Sequence, residues 1–347
     1  MEFIFFSDTH FQKLKKLFPD THLKICINEF RKPLEYAVKN GIKTVIHGGD
    51  LFDSPNAEHS YIKSLISLLL DFKELNIYII LGNHDVEDSD NNSLNLIKLC
   101  HDLKILPNVK VMFEPNKDVI EGIPFNFMPF PCSKFSKKPM VNIAHLETAG
   151  VIRDNNTKVK TGIETTTTNN LNFIGHIHKQ QKVGENTWFC GGLYQTTFGE
   201  RNPKGWYHAN VKFKNGKWVR KKIKFIKNNC SFELVNLNIE VKDDFDKITK
   251  DESTLYKLHI SEGIVVPPSL TTKYPNVITI VGSKNGEELS VYTKELPQEM
   301  YEGSNVLDSL INDPLWGLFE FLKQEGLSKK ERRRGVEIVK ELLVKTK

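Results

Sequence analysis

Five short apolar runs in the first half of the chain end in residues that can bind a cation. "FIFFSD" leads to Asp8 and His10, and "KTVIHGGD" ends in Asp50, with Asp53 just beyond it. "IYIILGNHD" ends in Asn83, His84 and Asp85, "VNIAHLE" carries His145, and "LNFIGHIHKQ" carries His176 and His178. Two histidines two residues apart on an extended chain point to the same face. Oxygen and imidazole donors without cysteine suit manganese, iron, magnesium or zinc. The donors outnumber what one ion needs. Two ions require a shared carboxylate, and Asp50 is the natural bridge. A dinuclear site of this kind can hold a nucleophile between the ions and clamp a phosphoryl oxygen. His84 adjoins Asn83 and can stay free of metal, ready to stabilise a transition state or protonate a leaving oxygen.

Taken singly, these pieces say little. Asp-x-His after a strand and a lone Gly-Asp pair are ordinary turn signals. A single histidine on an apolar strand is by default a core residue. The ordered set, each member placed after an apolar run, carries the reading. His22, His47, His59, His101, His208 and His259 belong to no such set and read as surface or structural residues, with His47 near enough to Asp50 to support it.

Something must position these strand ends. Between the runs lie helical patterns: Ile27, Phe30, Leu34 and Ala37 recur at helical spacing, with Pro33 inside the pattern and Gly41 just past it. Residues 57–76 read as another helix. Buried strands alternating with helices imply an α/β fold, in which sites gather at the carboxyl ends of strands. The polar stretch between His145 and His176 reads as a loop or lid.

The texture changes after about Gly199. "GWYHANVKFKNGKWVRKKIKFI" reads as a hairpin turning at Asn215-Gly216, and strand-like pieces continue to about Tyr292, as in a smaller second domain. From about Val306 the pattern becomes helical. Asp313-Pro314 can open one helix, and Ser328 with Glu331 forms a capping box ahead of another with Val336, Val339 and Leu343 along one stripe.

With 347 residues, 39% hydrophobic and 26% charged, the chain reads as soluble and globular, with one large domain or two ordinary ones. No apolar run has the length of a membrane span, and the acidic start "MEFIFFSDTH" is too short for a signal peptide. Five scattered cysteines suit reduced thiols in the cytoplasm. The net charge of +5 permits a nucleic-acid partner.

The ordered motifs D-x-H, GD-x-x-D, GNHD, a fourth-motif His and GHxH resemble those of the calcineurin-like metallophosphoesterase superfamily over roughly residues 1–200. The resemblance implies a β-sandwich flanked by helices with two metals at its rim. One metal would take Asp8, His10, Asp50 and His178, and the other Asp50, Asn83, His145 and His176. His84 would be the catalytic histidine, oriented by Asp53. Ala144 stands where glycine often precedes the fourth-motif histidine.

"CGGLYQTTFGER" (190–201) resembles, more narrowly, the segment with which SbcD-type recombination nucleases leave the phosphoesterase domain, Gly191-Gly192 replacing the commoner Gly-Ser or Gly-Thr. Length and compact cap are similar to the phage branch, the T-even phage recombination nucleases. The implied organisation is a nuclease domain at 1–200, a small α+β DNA-capping domain at 201–300 and C-terminal helices at 304–347. Those helices would dock on an SbcC-like SMC/ABC-type coiled-coil ATPase; the competing readings are a basic helix touching DNA and a structural helix packed on the cap. The implied activity is a 3′-to-5′ DNA exonuclease and single-strand endonuclease in recombination, repair and replication-linked end processing. Two divalent ions would serve it, manganese foremost and magnesium second. A homodimer within a heterotetramer is expected, with helices near 56–73 and 93–103 as candidate contacts, in the host cytoplasm if the protein is phage-encoded. Lys134, Lys137, Lys138, Lys158, Lys160, Arg201 and Lys204 are candidate phosphate contacts. The competing reading is a stand-alone metallophosphoesterase of small phosphodiesters or phosphoproteins.

Overall fold

The computed structural model describes residues 1–18, 21–86, 93–131, 135–136, 138–163, 169–251, 253–267, 269–284 and 287–292. All of these lie in one compact unit, Met1–Lys294. The expected C-terminal helices, Lys134 and Lys137 lie outside the described residues.

In chain order the elements are β1 (Glu2–Phe6), α1 (His22–Lys39), β2 (Thr44–His47), α2 (His59–Leu70), β3 (Asn76–Ile80), α3 (Leu94–Asp102), β4 (Val109–Met112), β5 (Asn116–Ile120), β6 (Ile123–Met128), β7 (Val141–His145) and β8 (Leu171–Gly175). Then follow β9 (Gln181–Val183), β10 (Thr187–Phe189), β11 (Gly205–Lys214), β12 (Lys217–Lys227), β13 (Glu233–Ile239), β14 (Thr254–Ile260), α4 (Leu270–Lys273), β15 (Val277–Lys284) and β16 (Glu287–Tyr292).

Two six-stranded sheets form the larger body, ordered β12-β11-β1-β2-β3-β4 and β5-β6-β7-β8-β10-β9. Their inner faces meet through aromatic rings. Phe3 packs edge-on against Phe125 and Phe173 at 5.5 and 5.1 Å, and Tyr78 stacks on Phe127 at 5.3 Å. Removing such side chains from water is worth about 1.5–3 kcal/mol each. The expected β-sandwich is thus present.

Helix α1 covers the outer face of the first sheet, with Phe30 against Phe6. Its buried stripe is Cys26, Phe30, Leu34 and Ala37; Cys26 takes the inward place that the sequence offered to Ile27. The helix runs unbroken through Pro33. Gly41, at φ 68°, lets the chain turn back after it, and the Ile42 N–H closes on the Ala37 carbonyl.

The hairpin at Asn215-Gly216 forms as expected, both residues having positive φ. Its place is different. Read from the sequence as the opening of the second domain, it instead completes the first sheet, β11 pairing antiparallel with β1. Trp206, Tyr207, Ala209 and Val211 are buried there because β11 is an inner strand. The third sheet, β13-β14-β15-β16, follows with its own core of Ile239, Leu258, Leu270 and Val277. Its first strand is clamped to the sandwich: the Gln195 side chain exchanges hydrogen bonds with the Leu234 backbone, and Asn236 donates to the Phe198 carbonyl.

One interior feature had no sequence signal. Asn126, Asn142, Asn172 and Thr187 stand side by side on β6, β7, β8 and β10 and form a hydrogen-bonded row at 2.9, 2.8 and 3.0 Å. Each buried amide is satisfied by its neighbour, so the row links four strands without leaving those amides unpaired.

Candidate metal centre

Strands β1, β2 and β3 are parallel, as are β6, β7 and β8, so their carboxyl ends gather at one rim. Five of those ends carry the residues singled out from the sequence. The backbone turns sharply after β1, β2 and β8. Asp8, His10, Asp50 and His176 adopt φ values of 55°, 41°, 53° and 86°, strained for side chains with a Cβ. Backbone bonds hold them there: the Asp8 N–H donates to the Gly49 carbonyl and the His10 N–H to the Asp50 carbonyl, both at 3.0 Å. A Cβ on Gly82 would collide with Asp50 and one on Gly175 with the Gly48 carbonyl, so glycine at these two points lets the strand ends touch.

The donor atoms fall into groups. Asp8, His10 and His178 converge within 4.8 Å, and so do Asp50, His145 and His176. Asp50 lies between the groups, its Oδ2 3.5 Å from His10 Nε2 and 3.3 Å from His145 Nε2. Asn83 Oδ1 faces His145 Nε2 at 3.0 Å and His176 Nδ1 at 2.8 Å. His10 Nε2 and His178 Nε2 face each other at 2.9 Å. Two imidazole nitrogens so placed can share only one proton. Lone pairs aimed at common points in a buried pocket fit divalent cations, which satisfy several of them at once.

The outer nitrogens of these rings are tied back. His145 Nδ1 donates to the Gly48 carbonyl at 2.8 Å, turning Nε2 inward. His178 Nδ1 meets Glu200 Oε1 at 2.9 Å. The other Glu200 oxygen pairs with Lys204, and both residues are buried. Thr196 Oγ1 also donates to Glu200, at 2.6 Å. Glu200 was not singled out from the sequence. It sits 22 residues past its partner, and its only local signal was the Phe-Gly-Glu end of the quoted segment. Lys204, expected as a phosphate contact, is instead consumed inside: it pairs with Glu200 and donates to the His178 carbonyl at 3.1 Å.

His84 stands apart. Its side chain is 38% exposed, whereas those of His10 and His145 are at most 1% exposed. Its backbone N–H donates to Asp50 Oδ1 at 2.8 Å, and its Nδ1 meets the Asp53 backbone carbonyl at 3.0 Å. The Asp53 carboxylate is occupied elsewhere, with Lys13 at 2.9 Å and His10 Nδ1 at 3.3 Å, and is 3.9 Å from His84 Nδ1. The main chain of Asp53 thus orients His84, while its side chain supports His10. Asp85, the last residue of GNHD, is buried and accepts backbone N–H groups from Gly82, Leu51 and Phe52, latching two of the strand ends together.

The electrostatics match a site built for positive charge. Burial opposes ionisation of Asp50, but His145 and His10 outweigh it and hold the carboxyl well below the usual range. Burial likewise disfavours protonated His145, yet Asp50 overrides it and raises the imidazole to about 9. Burial works against His178 too, and Glu200 reverses it. Burial lowers His10 and His176. Burial, and then Asp50, push Asp85 upward. Asp50 and Glu200 thus favour protons on His145 and His178, which a divalent ion would displace.

The remaining histidines have structural partners: His22 meets Tyr61, His47 meets Thr9, and His208 meets Glu2. Within the stretch after His145, Arg153 pairs with Glu147 through two hydrogen bonds, and Val159 is buried.

The sequence profile described as "Calcineurin-like phosphoesterase" matches residues 1–190. The chain is similar to exonuclease subunit 1 of Enterobacteria phage T4, with 25% identity over 329 residues that span 86% of this chain and 91% of the phage protein. Over 77 residues it is 42% identical to the DNA double-strand break repair protein Mre11 of Methanococcus maripaludis, covering 21% of this chain and 19% of that protein. Among solved structures it is similar to an archaeal phosphodiesterase, at 15% identity and a TM-score of 0.30, covering 65% of this chain and 100% of that one.

Proposed function

The chain belongs to the calcineurin-like phosphoesterase family, and from that premise we propose that it is a metal-dependent DNA nuclease subunit. The observation that carries the proposal is the pair of donor groups meeting at Asp50. Asp8, His10, Asp50 and His178 would hold one divalent ion, and Asp50, Asn83, His145 and His176 the other, manganese foremost. Bound there, such ions supply an activated water and neutralise charge on the phosphoryl oxygens.

The chain's own residues do the rest. With its Nδ1–H held by the Asp53 carbonyl, the partly exposed His84 ring would act from Nε2 in its doubly protonated form, donating to the scissile phosphate or to the oxygen that leaves. Asp50 Oδ1 accepts the His84 backbone N–H, tying the histidine to the carboxylate that lies between the two donor groups. Glu200 and Gly48 keep the inward nitrogens of His178 and His145 unprotonated when cations are bound.

Similarity to an exonuclease subunit over most of both chains supports DNA as the substrate. The third sheet clamped beside the site suits the DNA-capping role expected of the second domain. A coiled-coil ATPase is the proposed partner, docked by residues 304–347, in a cytoplasmic heterotetramer containing a nuclease homodimer. The polarity proposed is 3′-to-5′, with single-strand endonuclease action.

The test is manganese-dependent degradation of end-labelled duplex DNA by the wild type and by His84→Ala, with and without the ATPase. Turnover by the wild type should fall at least about 100-fold in the variant, the scale of one general acid. No DNA turnover by the wild type, beside brisk hydrolysis of a small phosphodiester, would replace this reading with the stand-alone phosphoesterase.

A further inference from the structure

The hairpin of β11 and β12 carries eight cations, Lys212, Lys214, Lys217, Arg220, Lys221, Lys222, Lys224 and Lys227, and residues 205–231 contain no acidic side chain. All eight are exposed. The eight exceed the whole chain's surplus of +5, so the remainder of the molecule is net acidic. Elsewhere cations pair with carboxylates, as Lys13, Arg31, Lys98 and Arg153 do. Among the described residues none of the eight forms an ion pair; Arg220 and Lys221 reach only the amides of Asn210 and Asn186.

Register and topology turn this charge into a line. Strand β12 is the outer edge of its sheet, with β11 on one side only. Lys212 lies opposite Arg220, Lys222 opposite Asn210, and Lys224 opposite His208, so these cations share one face. Lys227 pairs with Gly205, next to Lys204, which touches the His178 carbonyl. One end of β12 is therefore near the catalytic rim. The other lies beyond Asn210, which pairs with the first residue of β1. From Lys217 to Lys227, ten steps of about 3.3 Å make an edge about 33 Å long with cations on both of its faces, close to ten base pairs of duplex. Edge strands often carry lysines simply to prevent edge-to-edge pairing. Eight unpaired cations with no intervening acid exceed what that purpose needs.

We propose that β12 is a phosphate track that holds duplex DNA running away from the catalytic rim. The proposal rests on the nuclease reading. Lysine and arginine side chains neutralise backbone phosphates without reading bases, so binding there is sequence-independent and strongly dependent on salt.

The test compares the full-length wild type with two quadruple variants at Lys212, Arg220, Lys222 and Lys224, one all Gln and one retaining charge (Lys→Arg, Arg→Lys). Fluorescence anisotropy is read for 10- and 30-base-pair duplexes across a salt series, beside hydrolysis of bis(4-nitrophenyl) phosphate. The Gln variant should bind the 30-mer at least about 10-fold more weakly and lose about 0.9 of log–log salt slope per lost phosphate contact. The charge-retaining variant should match the wild type, and the small diester should be cleaved at equal rates by all three. Unchanged affinity and slope in the Gln variant overturns the track, and does so in favour of edge protection if that variant self-associates. Lost binding of poly-glutamate with unchanged DNA affinity overturns it in favour of an acidic protein partner. A wild type that binds DNA through this strand but cleaves none removes the nuclease reading and leaves the track standing. A wild type that binds no DNA removes both.

Discussion

Replacing Glu200 by Gln tests how the inner histidine is held. The carboxylate presents one oxygen to His178 Nδ1 at 2.9 Å and the other to Lys204, with Thr196 donating at 2.6 Å. An amide of the same shape cannot serve both. If its oxygen faces His178, its NH2 faces the Lys204 ammonium. If its NH2 faces His178, the ring must turn its N–H toward the metal position. Glu200 and Lys204 are 3% and 4% exposed, so breaking their pair costs about 3–5 kcal/mol of stability. Loss of a carboxylate behind a metal-facing histidine lowers metal affinity about 10–100-fold, or about 1.4–2.7 kcal/mol. Manganese calorimetry and chelator-treated thermal melts read the two effects separately. A second change, Lys204→Met, should recover much of the stability, because it removes the stranded charge, but none of the affinity. A Glu200→Gln protein that binds manganese within twofold of wild type and melts at the same temperature would refute the reasoning.

Other outcomes follow from the same packing. Asn142→Ala should destabilise the protein by about 2–4 kcal/mol in urea titrations, since it leaves the Asn126 donor and Asn172 acceptor buried without partners. His22 and His47 are buried neutral, burial lowering them to about 4 and about 3. Each binds a proton more readily when unfolded. The stability they contribute is complete above pH 6.5 and falls as pH drops toward those values, by about 2 kcal/mol per group between pH 7 and 5. His22→Gln should flatten that slope in denaturant titrations at the two pH values; an unchanged slope contradicts the assignment.

The donor set was readable because the sequence placed unusual residue types directly after apolar runs. A buried parallel sheet makes that pattern local: the strand is the run, and the site begins where it stops. The split into two groups around Asp50 came from the family resemblance and not from any local spacing, since it depends on how the ends of β7 and β8 meet those of β1 and β2 across the sandwich. Glu200 was not singled out, and Asp85 was named among the possible donors without its latching role, because a supporting carboxylate has no local mark; its partners lie in other loops. The asparagine row was invisible for a different reason. Asparagine reads as a turn former, and only lateral alignment of four strands gives each amide its partner. The hairpin was recognised but misplaced, because its pairing with β1 joins residues about 200 positions apart and nothing in a local window encodes it.

If the site works as proposed, two cations share Asp50 at this rim. Manganese titration of the full-length chain, counting bound ions, tests it most directly. The wild type should bind two ions, with one preferentially lost in His176→Ala while the Asp8–His10–His178 ion is retained, and the converse in His178→Ala. A wild type that saturates with one ion, or two variants that lose both ions together, would contradict it.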